Sequence, residues 1–173
     1  MIQERLKELR AQMQERGIDI YIVPTSDFHQ SEYVGEYFKA RKYMTGFTGS
    51  AGTAVITKEE AGLWTDGRYF IQAEKQLEGS TVKLFKMGEE GVPKVEEYVK
   101  DHLTEGSCIG FDGRVMDAKS GEKYAKMAEE KKAALYVKED LVGNIWKDRP
   151  QLPANKVWIL EDAYAGRSMA DKI

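Results

Sequence analysis

The feature that most constrains the fold is a set of short apolar runs, each closed by turn-forming residues and separated by amphipathic stretches. Residues 19–23 (Asp-Ile-Tyr-Ile-Val) form such a run and stop at Pro24, ahead of Thr25-Ser26-Asp27. Runs of this length predict buried strands rather than helices. Residues 51–57 and 61–65 read as strands around the polar turn 58–60, and residues 81–87, 108–111 and 134–137 as three further strands. Between them lie helical patterns. Ile2, Leu6, Leu9 and Met13 recur at steps of four, three and four, and Gly17 supplies the stop. Residues 68–77, 92–103 and 118–133 predict further helices, the first directing Phe70 and Ala73 to the core, the second starting near Pro93. The expected class is α/β, a mixed sheet flanked by helices.

The pattern changes after residue 147. Pro150 and Pro153 restrict the backbone there, which suits a linker or domain edge. Residues 157–160 read as one more strand, and residues 161–173 as the start of a polar helix with few apolar anchors. The expectation is one domain over residues 1–160 and the start of a truncated second domain over 161–173, so that the chain is a fragment. Its 173 residues suffice for one domain core. A net charge of −3 and pI near 5.6 argue against a dedicated nucleic-acid binder, with Arg41-Lys42 the one notable basic pair near aromatics. The single cysteine, Cys108, cannot form an internal disulfide. There is neither a signal-peptide-like apolar run nor a stretch approaching ~20 apolar residues, so a soluble, cytoplasmic protein without membrane partners is expected.

Few residues offer chemistry. His29 and His102 lie far apart and no CxxC occurs, so no metal site is expected in this chain. Ser26, Asp27, His29 and Ser31 are close in sequence, but sequence neighbours seldom reach triad geometry; capping by Ser26 or Asp27 is the simpler account. Gly46, Gly49 and Gly52 precede a strand instead of opening a helix, which weakens a phosphate-loop reading. The most informative segment is Trp64-Thr65-Asp66-Gly67-Arg68-Tyr69-Phe70. Thr65 or Asp66 is suited to cap the helix, which places Arg68 in its first turn, where the macrodipole disfavours a cation by ~0.3–1 kcal/mol. Either a local pair with Asp66 offsets that cost, or the guanidinium faces a ligand carboxylate or carbonyl.

Taken together, Pro24-Thr25-Ser26-Asp27 with His29-Gln30-Ser31-Glu32-Tyr33, Gly46-Phe47 with Gly49-Ser50-Ala51-Gly52-Thr53-Ala54, the Trp64–Phe70 segment, and Ile145-Trp146 with Asp148-Arg149-Pro150 resemble one family. They are similar to the N-terminal domain of three-domain Xaa-Pro aminopeptidases, within the wider creatinase/prolidase group. Tyr164, Gly166, Ser168 and Lys172 resemble the start of the second domain. The resemblance implies a non-catalytic domain that walls one side of a cleft, with two metal ions, usually manganese, in a C-terminal domain absent here. It implies a peptide with proline second as substrate, the protein's own catalytic domain as partner, and subunit contacts of a homodimer. It assigns peptide contact to Arg68 and leaves His29 and Tyr69 without a catalytic role. Two other readings stand beside it: a free-standing interaction module, and a hydrolase using Ser26 or Ser31.

Overall fold

A computed structural model describes residues 2–173. Its centre is one six-stranded sheet in the order β4-β3-β2-β1-β5-β6. The strands are β1 (Ile20–Pro24), β2 (Thr53–Thr57), β3 (Ala61–Thr65), β4 (Val82–Lys86), β5 (Cys108–Phe111) and β6 (Ala134–Tyr136). β2 is antiparallel to both β1 and β3, whereas β3–β4, β1–β5 and β5–β6 pair in parallel. Five strands therefore run one way and β2 alone opposes them. The mixed α/β sheet expected from the sequence is present.

Helices cover both faces, which explains why β1 and β3 read as continuous apolar runs rather than as alternating ones. Tyr21, Val23, Ala54, Ile56 and Leu63 point to one face, where they meet α1 (Ile2–Glu15), α2 (Ala40–Thr45), α3 (Phe70–Leu77) and α6 (Leu141–Ile145). Ile20, Ile22, Val55, Trp64 and Ile109 point to the other, under α4 (Val95–His102) and α5 (Ala118–Glu130). Trp64 is fully buried, stacks on Phe85 with ring centroids 3.9 Å apart, and donates its indole N–H to the Pro93 carbonyl at 2.8 Å.

Two sequence expectations about these elements need correction. Residues 157–160 are exposed and pair with no strand, and an apolar run without a paired neighbour makes no strand. The polar helix of residues 161–173 is two short helices, α7 (Asp162–Ala165) and α8 (Met169–Lys172), divided at Gly166 with φ +78°. Two helices went unread: α2 and α6 have six and five residues, too few to show a 3.6-residue period. No residue from 151 to 173 is buried. Packing ends at Arg149, which donates to the Tyr37 carbonyl at 2.8 Å and pairs with Asp140.

Candidate functional site

Because five strands share a direction, the carboxyl ends of β1, β3, β4 and β5 emerge on one rim of the sheet. The reversed β2 adds its entry loop, residues 46–52, to that same rim. In open α/β sheets this rim is where ligands bind. All three conspicuous segments meet here. The Thr25 amide and hydroxyl both donate to the Gly52 carbonyl, at 3.2 and 2.7 Å. The Thr65 hydroxyl donates to the Ala51 carbonyl at 2.8 Å, and the Ser50 and Tyr69 hydroxyls are 2.7 Å apart. The glycine loop is a tight structural crossing: at Gly52, φ is +151° and an added Cβ would stand 2.8 Å from the Trp64 carbonyl oxygen.

Arg68 lies in the turn ahead of α3 rather than in its first turn, because Asp66 closes that turn by accepting the Arg68 amide at 3.1 Å. The guanidinium then grips the same carboxylate twice, Nε to Oδ1 at 2.8 Å and Nη2 to Oδ2 at 2.9 Å. The local pair is therefore made, and neither Thr65 nor Asp66 is the helix cap. The side chain nevertheless stays two-thirds exposed (67%), and its Nη1 donates to none of the described residues. The Arg68 guanidinium, by hydrogen bond and charge, holds the Asp66 carboxyl below its usual range, and Asp66 raises the guanidinium in return. Tyr69 sits beside them, its phenol lowered by the Ser50 hydroxyl and, less, by the Arg68 charge.

The Ser26–Ser31 segment is a capped turn. Asp27 accepts the His29 and Ser31 amides at 2.8 and 3.0 Å, and the buried Ser26 hydroxyl donates to the Asp27 carbonyl at 3.2 Å. His29 meets Asp27 through its backbone, which is not triad geometry. His102 stacks on Tyr98 within α4. Cys108 is buried in the core, its thiol raised by burial. Among the described residues no three His, Cys, Asp or Glu side chains converge to hold a metal, so this donor set does not fit a dinuclear centre. Nor is any helix among them long and apolar enough to cross a membrane.

The roles of two arginines of the rim went unread. Asp112-Gly113-Arg114 after β5 repeats the device of Asp66-Gly67-Arg68: Arg114 donates its amide and Nε to Asp112 Oδ1, each at 3.0 Å, and Nη2 to Oδ2 at 2.9 Å. The recurring Asp-Gly-Arg tripeptide was its visible signal. Arg41, on α2, is 3% exposed and ties two of the loops together. It donates from Nε to the Thr25 hydroxyl at 2.9 Å, from Nη1 to the Phe47 carbonyl at 2.6 Å, and from Nη2 to the Gly49 carbonyl. The sequence marked it only as half of the basic pair Arg41-Lys42; nothing in a six-residue helix announced its burial.

Residues 5–139 match the creatinase/prolidase N-terminal domain family. The chain belongs to that family. Over its whole length it is 43% identical to aminopeptidase P2 of Arabidopsis thaliana, of which it covers 25%. It is 47% identical over 98% of its length to a probable Xaa-Pro aminopeptidase P of Pyrenophora teres f. teres, covering 26% of that protein. Among solved structures, the X-prolyl aminopeptidase of Caenorhabditis elegans, described as a cytosolic enzyme with a di-nuclear active site, superposes with a TM-score of 0.88 at 34% identity. That match covers 99% of this chain and 30% of the other. The creatinase/prolidase chain described here thus spans about a quarter of the length of its curated relatives.

Proposed function

We propose that this chain is the non-catalytic N-terminal domain of a metal-dependent Xaa-Pro aminopeptidase that removes the first residue of peptides with proline second. One observation carries the reading: the chain aligns end to end with such enzymes while accounting for only a quarter of them, and the quarter belongs to an N-terminal-domain family. In the intact enzyme the rim of motif loops walls one side of the cleft, and Arg68 contacts the peptide. Its partners are the protein's own C-terminal catalytic domain, which carries two manganese ions, and a second subunit; its compartment is the cytoplasm.

Arg68 suits the contact because Asp66 holds the Nε–Nη2 edge of its fork and Nη1 donates to none of the described residues. A guanidinium fixed in this way loses little freedom when a peptide carbonyl or carboxylate arrives, so binding energy goes into positioning the scissile bond. The 173-residue chain given manganese and a Xaa-Pro peptide should show no turnover; hydrolysis abolished by a chelator overturns the reading. In the full-length enzyme Arg68→Ala should lower kcat/KM by roughly 10-fold or more, the loss of one charge-assisted hydrogen bond, with metal content unchanged. Unaltered kinetics would return Arg68 to a purely local role.

A further inference from the structure

Of the three arginines on the rim, two are neutralised by carboxylates. Arg68 has Asp66, while Arg114 has Asp112 and, at 3.5 Å, Asp140. Arg41 is the most buried of the three and is bonded only to neutral oxygens, those of Thr25, Phe47 and Gly49. Burial brings its guanidinium down to about 10, so it stays cationic at neutral pH. Those three bonds and the Phe47 ring, 4.7 Å from the guanidinium carbon, offset part of the cost of burying the charge, but no carboxylate among the described residues pairs with it. Its two Nη atoms each carry a second N–H beyond the bonds to Phe47 and Gly49.

Arg41 lines a cleft of about 170 Å³ beneath residues 32–34. Lys39 and Lys42 stand at its mouth, both partly exposed and paired only with Glu36, an arrangement that costs little to open. Thr48 and Ser50 also line it, their hydroxyls bonded to Gln72, Gln76 and Tyr69, while Tyr33, Val34 and Phe38 give an apolar wall. Glu32 is the one carboxylate on the lining and is exposed to solvent. The volume equals about five or six water volumes, the bulk of a small branched acid.

We propose that this cleft binds a small aliphatic monocarboxylate, its charged end on Arg41 with Lys39 or Lys42 and its apolar body against Val34 and Phe38. A planar carboxylate matches the planar guanidinium, and the apolar wall favours it over a fully hydrated inorganic oxyanion. The cleft adjoins Arg68 through Glu32, whose charge acts on the Arg68 guanidinium, and through Ser50, but the proposal does not depend on Arg68 touching peptide.

The test is a titration of the 173-residue chain with isobutyrate, followed by NMR on backbone amides and the Arg41 Nε–H. Saturable shifts at Val34, Gly49, Ser50 and Arg41 are expected, with isobutyramide giving none and inorganic phosphate binding at least 10-fold more weakly. Arg41 also supports the glycine loop, so replacing it endangers the fold. Val34→Glu avoids that, because Val34 takes no part in those bonds. The introduced carboxylate should occupy Arg41 and abolish the isobutyrate shifts. Non-saturating shifts spread over surface lysines, an equal response to isobutyramide, phosphate binding as tightly, or an unaffected Val34→Glu variant would each overturn the proposal.

Discussion

At the scale of single residues, the rim shows how much a side chain's role depends on its nearest partner. Arg68 and Asp66 are two residues apart, and the same carboxylate closes the turn and pairs with the guanidinium. The pair has a measurable signature. The Asp66 carboxyl is lowered from an ordinary 3.8, chiefly by hydrogen bonding to Arg68. A carboxyl depressed in the folded state stabilises the fold above its unfolded value, and that contribution disappears as pH falls through the folded value. In Arg68→Ala the Asp66 side-chain carbon should titrate at higher pH than in wild type, back towards 3.8. An unmoved titration would mean that the turn amides, not Arg68, hold the proton off. Arg68 was legible in the sequence because a cation beside a helix start demands an explanation. Arg41 was not, since burial is a tertiary property that no local pattern announces.

Elements of the sheet were the most legible part of the molecule. Strands buried on both faces leave an unbroken apolar run that ends abruptly in turn residues, and β1, β2, β3 and β5 do this. α2 and α6 are too short to leave a periodic trace, and α6 contains Gly143, whose amide bonds to Asp140 at 2.8 Å to cap the element. The apolar run at residues 157–160 misled for a related reason: strand-like composition makes a strand only where a neighbouring edge can complete its hydrogen bonds. The loop between α2 and β2 depends on backbone space. Gly52→Ala would force a side chain into a left-handed conformation and against the Trp64 carbonyl. Urea unfolding should show a loss of about 1–3 kcal/mol, seen as a lower midpoint. An unchanged midpoint would indicate that the loop relaxes freely.

For the molecule as a whole, two packed faces and one sheet make a unit that ends at Arg149. No later residue is buried, and Val157, Trp158 and Ile159 are exposed. Removing residues 151–173 should therefore shift Tm by no more than about 2 °C, as calorimetry would show, since surface changes remote from the core are worth about 0.5 kcal/mol. A larger fall would mean that the tail contributes to the core. The reversal of β2 has a practical corollary. It adds the glycine loop to the rim that already carries the segments after β1 and β3, whereas the opposite rim includes the turn at Gly79, where an added Cβ meets nothing within 4 Å. A dye or an affinity handle attached there would leave the opposite margin free, so the domain can be immobilised or watched with its motif loops uncovered.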